Sequence, residues 1–574
     1  MTLQRSETIT PTAIDPITVE VIRSKLNSYI GEMTEVMRRA AYSPIIYEVY
    51  DFSNTVHDRD GNAVAMALGI PMFLGAMSPV VKAVLSQIPP EEWEPGDIVI
   101  CNDPHHDGNT HVNDINIVTP IFHEGEAVLF AMSKAHWLDV GGKNPGSWSP
   151  DCTDMFQEGL RIPVVRLYRR GEVVDDVRRL LLANVRAPEY SAGDLDAQVS
   201  ACRHVVRRVE TLVDDYGWGT IDAALEEILD HGERMVRTAI EEIPDGEYLV
   251  VDEVDSDGRT DEPVVIRLKL TVKGSEVTAD FSESDLQRRE ACGNASFAVT
   301  QSGVRLAMRC FADPDLPSNE GCYRPITVIA PAGTCVNAVP PAPVTTGGLD
   351  IGHVVIESVF QAMAQAVPDR AIAGLYGSVS ALVLAGYDGD QSYVHISPYS
   401  GGWGARATKD GINGLMTILN GDCNNVPCEV VERKFPLRVE RYALLDDTGG
   451  PGRFRGGLGI ATDYRLMTDG VMSTALMRYR HGPWGLFGGG AGKASVTVVN
   501  PGTDEERRHH SGGGIPLKAG DLVSHRVGGG GGFGPAAERD LELIERDLRE
   551  GYVSAKAAVH EYGVTVEPDG TVRR

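Results

Sequence analysis

Apolar residues recur along this chain with two periods, one typical of helices and one typical of strands. From Val19 to Ala40, directly after Asp15–Pro16, they recur at steps of three and four residues. This spacing predicts an amphipathic helix with one packed face. Further helices are predicted at about 76–87, as a pair between 194 and 243 divided at Gly217–Gly219, at about 297–311, at about 351–367 and at 538–550.

Shorter alternating or continuous apolar runs predict strands. One such segment, interrupted at Asp60–Gly61, predicts a β-hairpin with Asp51 at its entrance. A polar turn at 123–126 joins two more strands, and if this hairpin closes symmetrically about Gly125, paired positions sum to about 250. Asp114 then lies opposite His136. Other strands are predicted at 247–254, within 264–281, and as short segments between glycines from about residue 392.

The mixture of elements over 574 residues predicts an α+β fold with several domains. The abundance of glycine in the C-terminal third separates that part from the rest. The predicted divisions are an N-terminal metal-binding α/β region at 1–190, a helical connector and central α+β region at 191–390, a Gly-rich, β-rich region at 391–535 and a C-terminal helical tail at 536–574.

Charge and composition exclude several classes of function. The net charge of −28 argues against a nucleic-acid backbone or an anionic membrane surface as a partner. No apolar run approaches the length of a membrane span, and the polar N-terminus lacks the regions of a signal peptide. The nine cysteines contain no Cys-x-x-Cys pair, which fits reduced thiols better than a disulfide framework. We therefore expect a cytoplasmic protein.

The segment Cys101–Asp114 concentrates three histidines and three aspartates directly after a short apolar strand. The predicted hairpin brings two of its residues, His111 and Asp114, next to His136. Imidazole nitrogens and carboxylate oxygens form a ligand set suited to zinc, manganese or iron. The alternative is structural, because Asn and Asp in such a loop also cap turns through their side chains. The sequence thus predicts a metal site in loops of the N-terminal region.

Other catalytic motifs fail on their spacing. Gly488–Lys493 is similar to a nucleotide-binding loop, but Phe487 and Ala494 occupy positions where that loop needs Gly and Ser or Thr. The glycine runs are therefore interpreted as tight turns or backbone packing. No Gly-x-Ser-x-Gly motif is present, and no cysteine stands in a basic, helix-starting context. Metal-assisted chemistry is the best-supported mechanism.

With these motifs assembled, the chain resembles the hydantoinase B family over nearly its whole length. The family includes the B subunits of N-methylhydantoinases, the matching half of 5-oxoprolinase, caprolactamase β subunits and the metal-bearing subunits of acetone and acetophenone carboxylases. The matching motifs are Asp15–Ile17, Tyr50–Ser53, Asn102–Pro104 with His111–Asp114, Ala135–Gly142, Gln157–Pro163, Thr448–Gly457 and Gly528–Gly534.

The resemblance implies a divalent metal, with zinc favoured over manganese or iron, held by Asp51, His111, Asp114 and His136. It also implies a separate A-type subunit that binds ATP and phosphorylates an inert amide or ketone oxygen, so that the enzyme is a hetero-oligomer. The loop before His111 departs from the family pattern, because it reads His105–His106–Asp107–Gly108–Asn109. Either of its first two histidines is an alternative ligand or pocket residue.

Three further residues are candidates for the chemistry. Asp139 is a candidate general base or a carboxylate that orients a ligand, with turn capping before Gly141–Gly142 as the alternative. Glu158 and Arg161 are candidates to line the pocket, and Arg161 suits an anionic intermediate. The alternative for both is a surface ion pair.

The resemblance implies two alternative activities, and a scaffold without chemistry is a third, independent possibility. The first is a metal-dependent subunit that hydrolyses a phosphorylated lactam, hydantoin or 5-oxoproline made by its A-type partner. The alternative is the metal-bearing subunit of an ATP-dependent ketone carboxylase, which uses the same scaffold. The chain length favours the hydrolase. A scaffold that only stabilises an ATP-using partner would have a degenerate metal loop, and the four intact candidate ligands argue against it.

Overall fold

A computed structural model of the chain describes residues 14–67, 69–312, 315–421 and 423–574, and shows an α+β fold built on five sheets. The mixed class agrees with the prediction. The helices are α1 Pro16–Ala40, α2 Pro44–Tyr47, α3 Pro71–Gln87, α4 Asp175–Ala183, α5 Pro188–Tyr216, α6 Trp218–Glu241, α7 Phe297–Arg309, α8 Thr345–Ala366, α9 Cys428–Lys434, α10 Leu541–Arg549 and α11 Ala555–Tyr562.

The first sheet carries the candidate ligands and has the order β2-β1-β5-β4-β3-β6-β7, with every pair antiparallel. The pairing of β4 with β5 sets Asp114 opposite His136, as predicted. The turn is tighter than predicted, because Glu124 and Gly125 both adopt positive φ and the strands reach them. The strands are β1 Phe52–His57, β2 Ala63–Met66, β3 Ile98–Cys101, β4 Asp114–His123, β5 Glu126–His136, β6 Val165–Arg169 and β7 Glu172–Val173.

Helices cover both faces of this sheet, which explains why its central strands are buried almost throughout. Apolar side chains of α3, such as Val80 and Val84, pack with Val118 and Met132 on one face. On the other face, Gln198 of α5 accepts a hydrogen bond from the Trp137 indole at 3.0 Å and donates to a carbonyl of β4 at 2.9 Å. The segment predicted as a helical connector thus covers the metal-candidate sheet.

The second sheet has the order β11-β10-β9-β8 and packs against α8. Strands β8, β9 and β10 pair antiparallel to one another, whereas β11 pairs in parallel with β10. Helix α7 lies between α3 and α8 and joins this sheet to the first one. The strands are β8 Gly246–Val254, β9 Val264–Lys273, β10 Glu276–Asp280 and β11 Ile326–Ile329.

Strands dominate the C-terminal third, as predicted. They form two sheets with the orders β13-β12-β16-β19 and β14-β15-β20-β17-β18. The strands are β12 Leu382–Asp388, β13 Gln391–Ser397, β14 Leu437–Leu444, β15 Ile460–Leu466, β16 Gly470–Ala475, β17 Val496–Val499, β18 Arg507–His509, β19 Ser511–Leu517 and β20 Leu522–Arg526.

The glycine runs in this part pack backbone against backbone, which confirms their interpretation as structural. Gly530 accepts a hydrogen bond from Gly450 at 2.8 Å and donates one to Gly457 at 2.9 Å. A Cβ added at Gly456 would lie 1.9 Å from the Gly530 oxygen, and one added at Gly530 would lie 2.1 Å from the Trp403 oxygen. Any side chain at these positions would force the segments apart.

The limits of several predicted helices differ from the structure. Helix α3 begins at Pro71, α5 at Pro188 and α8 at Thr345, each several residues before the predicted start. The tail is not one helix, because Gly551 with φ +71° separates α10 from α11, and a two-stranded sheet follows with β21 Thr565–Val566 and β22 Val572–Arg573. In the described parts of the chain, no helix combines the length and apolarity needed to cross a bilayer.

Candidate metal centre

Three strands bring the four candidate ligands together at one end of the first sheet. Asp51 directly precedes β1, Asp114 begins β4 and His136 ends β5, while His111 lies in the loop before β4. Because β1 and β4 both pair with β5, all three strand ends meet, and the His136 amide donates to the Asp51 carbonyl at 3.0 Å. All four residues are buried, and none is more than 6% exposed.

The four side chains lie close together. His111 Nε2 lies 3.1 Å from Asp114 Oδ1, and the rings of His111 and His136 have centroids 5.1 Å apart. Asp51 and both histidines line one cavity. The other lining residues are Thr110 and Asn420, which are polar, and Ile45, Ile70, Met72, Phe73, Trp148, Leu349, Val379, Ala381, Ile396 and Pro398.

Burial and neighbouring charges shift the pKa values of these groups, and a bound cation would stabilise their metal-binding forms. Burial, assisted by the negative charge of Asp114, holds the pKa of Asp51 well above its usual range. Burial alone would also raise the pKa of Asp114, but interactions with His111, Lys134 and His136 lower it. Burial lowers the pKa of His136 to about 3, so its imidazole is neutral, which is the form that binds metal ions.

The donor set fits a divalent metal ion. Nδ1 of His111 and Nδ1 of His136 are buried without a hydrogen-bond partner, a costly arrangement unless something else binds them. With two carboxylates nearby, they form a borderline nitrogen and oxygen set suited to zinc, manganese or iron. Among the described residues, however, no three His, Cys, Asp or Glu side chains already form a finished metal-ion site. The metal therefore stays a prediction.

Lys134 was missed in the sequence, although a signal for it was present. It lies two residues before His136 on β5, so both side chains project from the same face of the sheet, the face covered by α3. Its ammonium is fully buried and donates to Asn109 Oδ1 at 2.6 Å and to Thr110 Oγ1 at 3.3 Å, while the Thr110 hydroxyl donates to Asp114. Burial lowers the pKa of Lys134 to about 8. The signal in the sequence was a lysine within an otherwise apolar strand, because a lysine is rarely buried unless its charge is paired.

Strained backbone surrounds the cavity. Tyr50, Ser147 and Ser380 are non-glycine residues with φ of 64°, 53° and 46°. Each adjoins a lining residue in sequence, because Asp51 and Trp148 follow the first two and the third lies between two lining residues. Such conformations cost about 1–3 kcal/mol each and cluster at functional sites, so their positions support this cavity as the candidate site.

Asp139 lies outside the cavity lining and is saturated with hydrogen bonds. Its carboxylate is fully buried and accepts from the amides of Gly141 at 2.7 Å and Gly146 at 2.8 Å. It also accepts from the Arg186 amide at 3.1 Å and from the Arg186 guanidinium at 3.0 Å. These contacts are those of the turn-capping alternative, and the predicted catalytic role stays untested.

Glu158 and Arg161 also lie outside the cavity lining. The Glu158 carboxyl is buried and accepts the amide hydrogens of Val344 at 2.8 Å and Thr345 at 2.5 Å, which caps the start of α8. Burial raises its pKa to about 8. Arg161 contacts Asp103 at 3.3 Å, in a half-buried ion pair. The helix cap explains why α8 begins earlier than its periodicity indicates.

The two alternative histidines contact other groups. His105 Nε2 lies 3.0 Å from the Ala342 carbonyl oxygen, and its Nδ1 lies 3.3 Å from that of Ala338. His106 has a largely exposed side chain, with Nδ1 at 3.1 Å from Asp103. Neither residue lines the cavity, so the structure groups His111 rather than these two with Asp51 and His136.

Known proteins match this chain over almost its entire length. A family model described as hydantoinase B/oxoprolinase matches residues 15–536. A putative D-/L-hydantoinase of Pseudomonas sp. strain NS671 has a B-type chain that is 31% identical over 576 residues, covering 96% of this chain and 95% of that protein. The β chain of the caprolactamase from Pseudomonas jessenii is 31% identical over 577 residues, covering 97% of each chain.

Solved structures give the same result. The crystal structure of the ATP-dependent caprolactamase from Pseudomonas jessenii matches with a TM-score of 0.90 at 29% identity, over 97% of this chain and 98% of that chain. Nucleotide-free acetone carboxylase matches with a TM-score of 0.89 at 21% identity, over 97% and 81%, which shows a shared fold. The hydantoinase and caprolactamase relatives are, by their names, parts of multi-subunit enzymes. This chain belongs to the hydantoinase B/oxoprolinase family.

Proposed function

We propose that this chain is the metal-bearing subunit of an ATP-dependent cyclic amide hydrolase, of the hydantoin, lactam or 5-oxoproline type. It acts on a phosphorylated substrate that an A-type partner subunit makes from ATP. Family membership and the names of two relatives of nearly equal length, a hydantoinase subunit and a caprolactamase subunit, support this class of reaction.

The observation that carries the proposal is the grouping of Asp51, His111 and His136 at one cavity, with Asp114 in contact with His111. These residues would hold the divalent metal. Once bound, such an ion lowers the pKa of its water from about 15.7 towards 7 and so supplies hydroxide at neutral pH. The buried ring nitrogens that lack protein partners are available for this purpose.

Surrounding residues hold and shield these groups. The Thr110 hydroxyl donates to Asp114, and Lys134 donates to Thr110, so the carboxylate is fixed in orientation. The wall of the cavity, which includes Phe73 and Ile396, is mostly apolar and limits the access of bulk water. An amide carbonyl is a poor electrophile, and phosphorylation of its oxygen makes attack at carbon favourable. Exclusion of water protects such an activated ester until it reacts.

The partner subunit would supply the ATP-binding site. In this chain the glycine-rich segments pack against one another through their backbones, and Gly488–Lys493, which is similar to a nucleotide-binding loop, does not fit the phosphate-binding pattern. ATP would therefore bind to the A-type subunit, and the two chains would form a hetero-oligomer.

The test is an assay of the purified complex with lactams, hydantoins and ketones. ATP consumption and ring-opened product are measured with and without bicarbonate, for the wild type, for His111→Ala and for the control His106→Ala. We expect ring opening that needs ATP but no bicarbonate, at least 100-fold loss in His111→Ala and near-normal activity in the control. A product that requires bicarbonate would instead indicate a ketone carboxylase, and full activity without an A-type chain would contradict the partner.

A further inference from the structure

A second cavity adjoins the candidate metal centre and has a different chemistry. The two cavities share a loop, because Trp148, whose buried indole N–H has no partner among the described residues, lines the first and Pro150 lines the second. They also share helix α8, from which Leu349 lines the first and Asp350 the second. The described lining of the second cavity includes three aspartates and no Lys, Arg or His. This cavity therefore favours a positively charged ligand.

Two of the three aspartates are not neutralised. Asp255 is 3% exposed, and its carboxylate accepts the Tyr479 amide hydrogen at 2.7 Å. Asp350 is partly buried and accepts the hydroxyl hydrogen of Ser378. Within the described ranges, neither carboxylate forms an ion pair with a basic side chain. Burial, assisted by the negative charge of Asp255, raises the pKa of Asp350 to about 7. Buried carboxylates are normally paired or bound to a cation, so this arrangement is incomplete without one.

The third aspartate, Asp257, holds the backbone in place. It is 6% exposed and accepts the amide hydrogens of Arg259 at 2.8 Å and Thr260 at 2.6 Å, together with the Thr260 hydroxyl at 3.0 Å. These bonds fix the loop after β8, which also carries Asp255. The position of Asp255 therefore does not depend on a ligand.

An unpaired hydroxyl belongs to the same cavity. Thr346 lies in the first turn of α8 and is 3% exposed. It lines the cavity, but its Oγ1 has no hydrogen-bond partner in the described parts of the chain. A buried hydroxyl without a partner is costly, so this atom is available to a bound ligand. Because residues four apart on a helix share one face, Thr346 and Asp350 lie on the same side of α8.

Close backbone contacts shape the cavity. A Cβ added at Gly258 would lie 2.4 Å from the Pro150 oxygen, and one added at Gly347 would lie 1.4 Å from the Cys292 oxygen. All four of these residues line the cavity. Glycine is therefore required where the loop after β8 and the start of α8 meet neighbouring segments. The carboxylates and the hydroxyl are thus carried by tightly packed backbone.

The Cys292 thiol also lines the cavity, but it is not a metal ligand. It donates to the Ser149 carbonyl at 3.3 Å, and interaction with Cys152 together with burial holds its pKa well above its usual range. A cysteine that binds a metal does so as a thiolate. The remaining donors are oxygen atoms, which hard cations prefer. Of these cations, Ca²⁺ accepts irregular sets of protein oxygens, whereas Mg²⁺ demands a near-octahedral set and keeps several waters.

We propose that Asp255, Asp350 and Thr346 bind a calcium ion in this second cavity, through two carboxylates and one hydroxyl. The ion would remove the repulsion between the carboxylates and pair the hydroxyl. It would also brace the first cavity, because Asp350 binds Ser378, which directly precedes the lining residue Val379. The inference does not depend on the proposed function, since none of the three residues is a candidate ligand of the first site.

The test is equilibrium dialysis of the purified full-length chain against radioactive CaCl₂, after removal of alkaline-earth ions. The variants Asp350→Asn, Asp255→Asn and Thr346→Val each remove one donor with little change in shape. Two controls accompany them. His111→Ala removes a candidate ligand of the first site, and Asp469→Asn removes an exposed carboxylate. Competition with MgCl₂ compares the two cations.

We expect one Ca²⁺ per chain, with a Kd below about 1 mM, in the wild type and in both controls. Loss of one charged donor should weaken binding by at least about tenfold in each aspartate variant, and loss of the hydroxyl by about 3- to 10-fold. MgCl₂ should compete at least about tenfold more weakly than CaCl₂. If an aspartate variant does not fold, Thr346→Val provides the same comparison.

A wild-type chain that binds no Ca²⁺ at about 5 mM would overturn the inference. Unchanged affinity in all three donor variants would do so too, as would loss of the ion in His111→Ala, which would assign it to the first site. Tighter binding of Mg²⁺ would exclude calcium as the ion. Because binding is measured without catalysis, failure of the proposed hydrolase activity would leave each of these results unaffected.

Discussion

Removal of the Asp139 carboxylate is predicted to release the loop that carries Trp148, because two amides of that loop donate to it. The Gly146 amide is buried and its bond is 2.8 Å long, and the Gly141 amide donates at 2.7 Å. Leaving a buried donor unpaired costs about 1–3 kcal/mol, and the half-buried Gly141 amide counts for about 1 kcal/mol, so Asp139→Ala should lower the free energy of local opening by about 2–4 kcal/mol. At about 1.4 kcal/mol per factor of ten, amide exchange should accelerate about 30- to 1000-fold.

The assay is hydrogen exchange of the full chain, read at peptides that contain these two amides. Arg186→Ala should also accelerate exchange, because its guanidinium donates to Asp139 and to the Gly141 carbonyl, both at 3.0 Å. In the double variant, the free energy of local opening should fall by less than the sum of the decreases in the two single variants, because the two side chains interact directly. Asp154→Ala is the control, since that residue caps the Phe156 amide outside the loop at 2.9 Å.

A different outcome would assign Asp139 to proton transfer. If Asp139→Ala abolished activity while exchange in the loop stayed at the wild-type rate, the carboxylate would not act by holding the loop. A shifted pH profile in Asp139→Asn, with unchanged exchange, would lead to the same conclusion. Either result would refute the structural assignment made from its hydrogen bonds.

Two further predictions concern stability. Burial raises the pKa of Glu158 from 4.5 to about 8, so between these pH values the folded chain keeps a proton that the unfolded chain loses, and stability falls as pH rises by up to about 1.4 kcal/mol per pH unit. Glu158→Gln should remove this decline in a comparison of Tm at pH 5 and pH 8, whereas parallel Tm curves would contradict it. Asp547 is buried and binds the buried guanidiniums of Arg455 at 3.1 Å and Arg539 at 2.6 Å, so Asp547→Ala should destabilise the tail by about 3–5 kcal/mol and speed its proteolysis. As a control, Asp469→Ala changes an exposed residue and should leave the cleavage rate unchanged. Equal cleavage rates for the two variants would contradict a role of Asp547 in holding the tail.

Local patterns predicted the part of the site that lies on one hairpin. Alternation of side chains along a strand has a period of two, so the turn position alone aligned Asp114 with His136. Asp51 could not be placed in this way, because β1 joins β5 across about eighty residues of intervening chain and no local pattern encodes such a pairing. The family resemblance supplied that residue.

Contacts between distant segments explain what the sequence did not reveal. The start of α8 depends on Glu158, which is far away in sequence, so periodicity within the helix placed it too late. The tail prediction overlooked Gly551, whose left-handed conformation ends α10. Trp148 offered no signal at all, because an unpaired indole N–H can be recognised only once its surroundings are known.

The metal content of the purified full-length chain, measured by elemental analysis with no assay of activity, tests the proposed metal site most directly. We expect about one equivalent of zinc, manganese or iron, strong loss of that metal in His111→Ala and in His136→Ala, and full retention in His106→Ala, because His106 contacts Asp103 instead. A wild-type chain without a stoichiometric divalent metal, or equal loss in all three variants, would contradict it.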